Sequence, residues 1–287
     1  MNKFIKALIK LDSLAGKKRY VFTELCRAYF SNTRKLKILF SKKDIWEEFN
    51  RPTFKFLPHF LSYEEINPEI IAEHDLVVPM FFEDIIYLNE FRDLIKNNPI
   101  PIPSIEAANL CNDKFLFSEK LIENGFGDYI PKINGELSYP LFLKKKIDIG
   151  AVHTYFVENK EQEMALLEGK NPDDFFRQTF VSGTREYSAH ILFKNNKIIR
   201  AITMEYSFEK DGSIHLKDSR LASKMVKNNS THFELFTSIL NCIGYEGICC
   251  FNYKLIENQP MIFEINPHCD GDFSIYFFSF LRSLDFN

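Results

Sequence analysis

The sequence lacks the long apolar run that a membrane-spanning helix requires. A span needs about 20 consecutive apolar residues, and no run within these 287 residues approaches that length. The sequence also lacks a strong net charge, which is −3, so its overall charge indicates neither a nucleic acid nor another polyionic partner. With 45% apolar and 26% charged residues, the composition is ordinary for a globular protein. We therefore expect a cytoplasmic protein with no transmembrane segment.

Cysteine pairs with the spacing C-x-x-C are also missing. Two of the six cysteines, Cys249 and Cys250, are adjacent within an apolar run, where a β-strand directs neighbouring side chains to opposite faces. This pattern predicts buried, reduced thiols and argues against a zinc site.

The small net charge hides an uneven distribution. Residues 1–43 contain twelve Lys and Arg against only two acids. A basic amphipathic segment can contact an anionic membrane surface or nucleic acid. We favour the other interpretation, a solvated helix face whose apolar side packs inward. Because Lys6 and Lys10 interrupt the apolar run, we expect no cleavable signal peptide.

The first third of the chain alternates between strand and helix patterns. Apolar, β-branched segments predict strands at Lys37–Phe40 and Leu76–Met80. Apolar residues at helical spacing predict a helix over Phe82–Asn97. This alternation is typical of a small α/β layer. Two further helices are predicted, at residues 1–31 and from Asp44 to Phe49.

A proline-rich segment, NPIPIPS at Asn98–Ser104, marks a boundary because its three prolines disfavour helix. We predict an N-terminal domain of residues 1–98 and a second domain of residues 99–287. In the second domain, Ser104 and Asn112 or Asp113 are residue types that begin helices. Further along, the sequence predicts a helix at His232–Ile243 and strands at Leu141–Lys145, Ala151–Val157, Asp174–Val181, Glu186–Phe193, Lys197–Glu205, Gly247–Leu255 and Met261–Ile265.

The segment Glu264-Ile265-Asn266-Pro267 follows an apolar strand near the end of the chain. Alternation along the strand places Glu264 and Asn266 on one face, and Asn252 lies on the strand that pairs with it in a hairpin. Carboxylate and amide oxygens are the ligands that Mg²⁺ prefers in proteins. The alternative is an ordinary strand followed by a turn.

A second candidate segment is QTFVSGTRE, which contains Gln178, Phe180, Val181 and Glu186. The pattern predicts a strand, a turn and an acidic residue. Backbone groups at Phe180 and Val181 are able to hydrogen-bond a nucleobase edge, and the Glu186 carboxylate is able to accept from ribose hydroxyls. An ordinary β-turn with a surface glutamate is the alternative.

Two lysines precede that segment. Lys114 stands at the start of a predicted helix, and Lys144 ends the apolar strand PLFL. A lysine that emerges from a packed strand is unusual, because its stem must cross an apolar layer. Such an ammonium group can contact a phosphate. A solvated lysine is the alternative at each position.

In chain order, the four motifs are NDK at Lys114, PLFLK at Lys144, QTFVSGTRE and finally FEINP. This order resembles that of the ATP-grasp superfamily, and of its carboxylate–amine ligases most of all. The resemblance covers residues from about Pro99 to the end of the chain. It implies a mixed α/β (α+β) fold, in which two α+β subdomains grip ATP after a small α/β domain.

The resemblance also implies a role for each candidate residue. Lys114 and Lys144 would contact the phosphates of ATP, with Lys144 near the adenine as well. The metal, Mg²⁺ or Mn²⁺, would bind Asn252, Glu264 and Asn266. The remaining nucleotide contacts would come from Gln178, Phe180 and Val181 at the adenine and from Glu186 at the ribose.

The implied reaction joins a small-molecule carboxylate to an amine or similar nucleophile through an acyl phosphate. Arg220 and Lys144 are then the candidate catalytic residues. Two other functions remain open on the same scaffold: a phosphotransferase, and a protein that binds ATP without catalysis.

Three features depart from the pattern that the resemblance implies. The loop KKIDIGAVH after Lys144 contains only Gly150, where the family usually has a glycine-rich flap. Asn252 occupies a position where a metal ligand is commonly acidic. His268 replaces a common arginine, and the acidic segment Cys269–Asp272 after it suits a cationic acceptor or a solvated turn equally.

Overall fold

The computed structural model describes residues 35–41, 59–212, 221–227, 231–269, 273–274 and 276–284. The helices predicted at residues 1–31 and Asp44–Phe49 lie outside these residues, and so does Arg220.

The strands are β1 (Lys37–Ser41), β2 (Phe60–Glu64), β3 (Leu76–Val78), β4 (Leu141–Lys145), β5 (Thr154–Val157), β6 (Phe175–Thr179), β7 (Arg185–Lys194), β8 (Lys197–Phe208), β9 (Leu221–Lys227), β10 (Gly247–Ile256) and β11 (Gln259–Asn266). The α-helices are α1 (Pro68–Ala72), α2 (Phe82–Glu90), α3 (Arg92–Ile95), α4 (Ile105–Asn112), α5 (Lys114–Leu121), α6 (Lys160–Leu167), α7 (Phe233–Cys242) and α8 (Phe277–Leu281).

The described residues divide into two compact units. The first lies within Met1–Ile102 and Cys269–Asn287, and the second is Pro103–His268. The predicted domains, residues 1–98 and 99–287, stay a prediction, because contacts alone do not test independent folding.

The first unit contains a parallel sheet with the strand order β2-β1-β3. Its central strand β1 and strand β3 are buried along nearly their whole length, as expected for parallel strands covered on both faces. The single helix predicted over Phe82–Asn97 is instead two helices, α2 and α3. The break falls at Phe91, whose φ of −117° and ψ of 34° are not helical.

The second unit contains two antiparallel sheets. The larger has the strand order β11-β10-β7-β8-β9, and the smaller has the order β5-β4-β6. One face of the larger sheet packs against helices α4, α5 and α7 in a continuous apolar core. Phe236 of α7 and Phe251 of β10 stack there with ring centroids 4.3 Å apart. The opposite face of this sheet carries polar side chains, such as Ser188 and Asn252, together with buried apolar ones, such as Met204.

The smaller sheet has an apolar cluster on one face. Leu141, Leu143 and Val157 pack there with apolar residues of α6. Because side chains alternate along a strand, Lys144 and Gln178 point to the other face. Strand β5 begins at Thr154 rather than at Ala151 as predicted, because Ala151 has a φ of 56°, outside the β region.

Local signals agree with the sequence at several element ends. Ser104 caps α4 by accepting from Ala107 N, and Asp113 caps α5 by accepting from two backbone N–H groups. Asn195 and Asn196 have φ values of 53° and 60°, as a two-residue type I′ hairpin turn requires.

The two adjacent cysteines take the predicted orientations. Cys249 belongs to the apolar core, whereas Cys250 lies near His190 on the opposite face. The five cysteines within the described residues are free thiols. No helix in the described part of the chain is both long and apolar enough to cross a membrane.

Candidate functional site

The start of α5 and the end of β11 meet through an ion pair. Lys114 Nζ lies 3.4 Å from Glu264 Oε2 and also donates to the backbone carbonyl of Asp148 at 2.9 Å. Lys114 is buried, with 7% of its surface exposed. The first turn of a helix thus directs a cation toward a carboxylate on the larger sheet.

The Lys144 side chain extends from the smaller sheet toward the Lys114–Glu264 pair. We call the space between the two sheets the site region. It is 7% exposed, and its Nζ lies 5.0 Å from the centre of the Phe263 ring and 5.7 Å from that of Phe142. Both aromatic contacts are within the range of cation–π attraction. The buried ammonium group therefore lies between the two sheets of the second unit.

Burial lowers the pKa of Lys144 to about 8, because an apolar environment disfavours its charged form. The carboxylates of Glu264 and Glu186 act in the opposite direction, and the ammonium groups of Lys114 and Lys254 add to the lowering. These mutual effects show that several charged groups share one region of low polarity.

Glu264 remains an anion in that region. Burial alone raises its pKa, but Lys114, Lys144 and the amide of Asn252 together bring it below the usual value. Glu264 pairs with Asn252 across β10 and β11, and Asn252 Nδ2 donates to Glu264 Oε1 at 2.9 Å. The Asn252 amide oxygen accepts from Ser188 Oγ at 2.7 Å.

A bulge in the β10–β11 hairpin places an additional side chain on this face. Asn252 pairs with Glu264 but Tyr253 pairs with Ile262, so Phe263 is the extra residue. Tyr253 and Ile262 stay in the apolar core, while Phe263 reaches Lys144. The sequence shows this strand but not its bulge.

The segment after β6 forms the other end of the region. Gln178 is 1% exposed, and its Nε2 has no hydrogen-bond partner within the described residues. The Phe180 ring packs edge-on against Phe156 at 5.1 Å. Val181 is buried, and its carbonyl accepts from Lys254 Nζ at 3.2 Å.

Glu186 lies at the start of β7, on the same face of the larger sheet. Burial raises its pKa to about 7, Lys254 and Lys144 lower it, and Glu264 adds to the raising. Hydrogen bonds from polar partners, such as hydroxyl groups, would stabilise a carboxylate in this environment because they compensate for its lost hydration.

Lys254 is a site residue that the sequence did not indicate. It lies two residues after Asn252 on β10, is 3% exposed, and directs its ammonium group to Val181. Strand alternation from Asn252 was the available signal. That signal is weak on its own, because most lysines at such positions are solvated.

The loop between β4 and β5 closes on itself through side chains. The Asp148 carboxylate accepts from His153 N at 2.8 Å and lies 2.9 Å from His153 Nδ1. Ile147, Ile149 and Val152 in this loop are more than half exposed. The loop thus has an internal polar tether where the sequence lacks repeated glycines.

The chemistry of these residues fits ATP with a divalent cation. The unpartnered amide nitrogen of Gln178 is a free donor for a nucleobase, and the buried ammonium groups of Lys114 and Lys144 suit phosphates. Within the described part of the chain, no three His, Cys, Asp or Glu side chains group as metal ligands. Glu264 with Asn252 and Asn266 supplies oxygen donors of the type that Mg²⁺ takes, alongside phosphate oxygens.

By sequence, neither a family profile nor a curated protein matches the chain. By structure, it is similar to D-alanine–D-alanine ligase from Bacillus anthracis at 12% identity, with a TM-score of 0.57, over 81% of this chain and 87% of that one. It is also similar to L-amino acid ligase from Bacillus licheniformis at 14% identity, with a TM-score of 0.54, over 85% and 70%.

A third similar structure is N5-carboxyaminoimidazole synthetase from Staphylococcus aureus, solved with ADP. The identity is 13% and the TM-score 0.55, over 84% of this chain and 73% of that one. These neighbours are ATP-grasp proteins. The chain therefore has the ATP-grasp fold, and the predicted fold class is confirmed. At such identities the likeness shows the fold alone, so function must be argued from the site.

Proposed function

We propose that the chain is an ATP- and Mg²⁺-dependent ligase, which activates a carboxylate as an acyl phosphate for attack by an amine or similar nucleophile. The observation that carries this proposal is the convergence of two buried lysines, Lys114 and Lys144, around the carboxylate of Glu264. Phosphates require cationic partners, and a phosphate-bridging metal requires an anionic one. Two proteins of the same fold are named ligases and a third a synthetase.

In this proposal the two ends of the region hold different parts of the nucleotide. Lys114 and Lys144 contact the phosphates. Gln178 and the backbone at Phe180 and Val181 contact the adenine. The Glu186 carboxylate accepts hydrogen bonds from the ribose hydroxyls.

Glu264, Asn252 and Asn266 are the residues that would hold Mg²⁺, or Mn²⁺ in its place. ATP would supply the phosphoryl group and the metal would neutralise phosphate charge. For Asn252 to offer its oxygen to a metal, its amide must turn away from Ser188, which now donates to that oxygen. The two amides leave Glu264 as the only anionic ligand of this set, which favours moderate metal affinity.

The protein's catalytic contribution is then positioning and charge neutralisation. Lys144 serves this role from the smaller sheet, and we propose Arg220 for an anionic group of the substrate. A protein base is not required for the phosphoryl step. The partners are a small-molecule carboxylate and an amine: the carboxylate oxygen takes the γ-phosphoryl group, ADP departs, and the amine nitrogen displaces phosphate and loses a proton.

A second candidate function is nucleotide binding without turnover. Two observations favour it. Asn252 is neutral where an acidic residue would add a second anionic metal ligand, and its amide nitrogen, not its oxygen, faces Glu264. The β4–β5 loop has only Gly150 to adapt its backbone around phosphates.

The deciding experiment measures ADP release from Mg²⁺-ATP with panels of carboxylates and amines, alone and in pairs. ADP release that requires both substrates supports the ligase. ADP release with a stable phosphorylated product from one substrate supports a phosphotransferase. Saturable ATP binding without ADP release across the panel contradicts the ligase and supports the non-catalytic candidate.

A further inference from the structure

Lys254 is a buried lysine whose surroundings resemble a ligand site more than an apolar core. It is 3% exposed, and its ammonium group donates to Val181 O at 3.2 Å. The Phe180 ring centre lies 5.7 Å away, and Asp211 Oδ1 lies 3.9 Å away. A lysine therefore occupies a position that disfavours its charge.

The Val181–Gly183 turn, which follows β6, is held from two sides. Lys254 engages the carbonyl of Val181, and Asp211 Oδ1 accepts from Gly183 N at 2.8 Å. Gly183 has a φ of +124°, which L side chains rarely adopt. The shape of this turn thus depends on Gly183 and on two hydrogen bonds, one from Lys254 of β10 and one to Asp211.

An apolar side chain would fill the Lys254 position at lower cost. A buried ammonium group loses much of its hydration, and one carbonyl with a carboxylate at 3.9 Å replaces that hydration incompletely. A buried ionisable group with incomplete polar compensation is a candidate for a functional role. The turn that Lys254 holds is the segment beside Glu186, at the nucleoside end of the region.

We propose that Lys254 is a further specificity-determining residue, which positions the Val181–Gly183 turn around the nucleoside of a bound nucleoside triphosphate. This inference rests on the proposed nucleotide site. It assigns Lys254 to the base and ribose, whereas Lys114, whose ion pair is with Glu264, belongs to the phosphate end. Lys254 then affects the affinity for a nucleotide but not the affinity for its phosphate chain alone.

The test compares two probes, ATP and inorganic tripolyphosphate, each with Mg²⁺, by titration calorimetry. The ratio of their dissociation constants reports the contribution of the nucleoside. We expect Lys254→Met to weaken ATP binding about tenfold, because ATP would then have to order the turn that this charge-assisted hydrogen bond holds in wild type. Tripolyphosphate binding should change by less than about twofold. Lys144→Met, by contrast, should weaken both probes.

Two variants serve as controls. Lys254→Arg keeps a cationic donor and should recover part of the ATP affinity that Lys254→Met loses. Lys170→Met removes an exposed lysine that also donates to a carbonyl, that of Leu166, and lies over the ring of Tyr155. It should leave both affinities unchanged, because Lys170 packs on the opposite face of the smaller sheet.

The outcomes separate the inference from the function on which it rests. Wild-type protein that binds neither probe overturns both. If wild type prefers ATP to tripolyphosphate and Lys254→Met keeps the same preference, only the role of Lys254 is overturned. The same conclusion follows if Lys254→Met loses affinity for both probes equally. If Lys254→Met fails to fold, Asp211→Ala decides, because it releases the other tether of the turn. A selective loss of ATP affinity in that variant supports the proposal, and an unchanged ATP preference overturns it.

Discussion

Lys114 Nζ lies 3.4 Å from Glu264 Oε2, although the two residues are 150 positions apart in the sequence. The contact joins the first turn of α5 to the end of β11. It gives the larger sheet a carboxylate that is held in its charged form and a cation beside it. A metal ion bound to the Glu264 carboxylate would replace Lys114 as its positive partner. The Lys114 ammonium group could then contact a phosphate instead.

The first prediction concerns Lys144. Lys144→Met keeps the length of the stem but removes the ammonium group, so we expect ATP affinity to fall at least tenfold, as for a lost buried charge contact. In wild type, ATP affinity should also fall as pH rises above about 8, because the ammonium group loses its proton there. Calorimetric titration between pH 7 and 9 measures both effects, with the exposed Lys170→Met as control. Equal affinity in Lys144→Met and wild type would contradict the assignment.

The second prediction concerns the metal. Glu264→Gln keeps the shape of the side chain but removes its charge, so Mg²⁺ should no longer enhance the thermal stabilisation given by ATP. The matched control is Glu257→Gln, which removes an exposed carboxylate at the tip of the same hairpin and should behave as wild type. Full Mg²⁺-dependent stabilisation of Glu264→Gln would exclude Glu264 as a ligand.

The third prediction follows from Glu186. Burial raises its pKa to about 7, so the carboxylate form is in the minority below this pH and in the majority above it. That form accepts hydrogen bonds from the two ribose hydroxyls more strongly than the neutral acid does, because its oxygens carry the negative charge. The affinity ratio between ATP and 2′,3′-dideoxy-ATP should therefore increase as pH rises through about 7.

The same titration on Glu186→Gln provides the control. Phosphate ionisation affects both nucleotides alike and cancels in the ratio, so the variant should show a smaller ratio that does not depend on pH. Wild-type protein with a ratio that is constant from pH 6 to 8 would argue against ribose recognition by Glu186.

The fourth prediction concerns the core that supports the site. Phe236→Ala removes a fully buried ring that stacks on Phe251, and we expect the free energy of unfolding to fall by about 3–5 kcal/mol. Met164→Ala, at a position 58% exposed, should change it by less than about 0.5 kcal/mol. Urea unfolding monitored by circular dichroism measures both. A loss for Phe236→Ala as small as that for Met164→Ala would contradict the packing described above.

The sequence predicted most strands of the second unit, because their apolar runs and turn residues are local signals. Strand β4 has the predicted bounds, and the Asn195–Asn196 turn has the positive φ values that a type I′ turn requires. Helix α6 was missed, since Lys160–Leu167 is rich in charged and polar residues with little apolar periodicity. Strand β2 was missed as well, because FLSYE at Phe60–Glu64 is short and mostly part-exposed.

The candidate site was harder to read from the sequence than the fold. The order of motifs indicated Lys114, Lys144 and Glu264, which the structure brings together with Glu186. The bulge at Phe263 depends on pairing between strands, which no local pattern encodes. Alternation suggests which face Lys254 occupies, but its contact with Val181 joins residues 73 positions apart. The roles of these residues in nucleotide binding stay predictions.

In the proposed ligase reaction, phosphorylation activates a carboxylate before the nucleophile attacks. The most direct test uses ¹⁸O in the carboxylate that supports amine-dependent ADP release. Our account predicts that one ¹⁸O atom appears in the inorganic phosphate released, because the bond between that oxygen and the acyl carbon breaks when the amine attacks. Phosphate without ¹⁸O, with ADP as the other product, would contradict it.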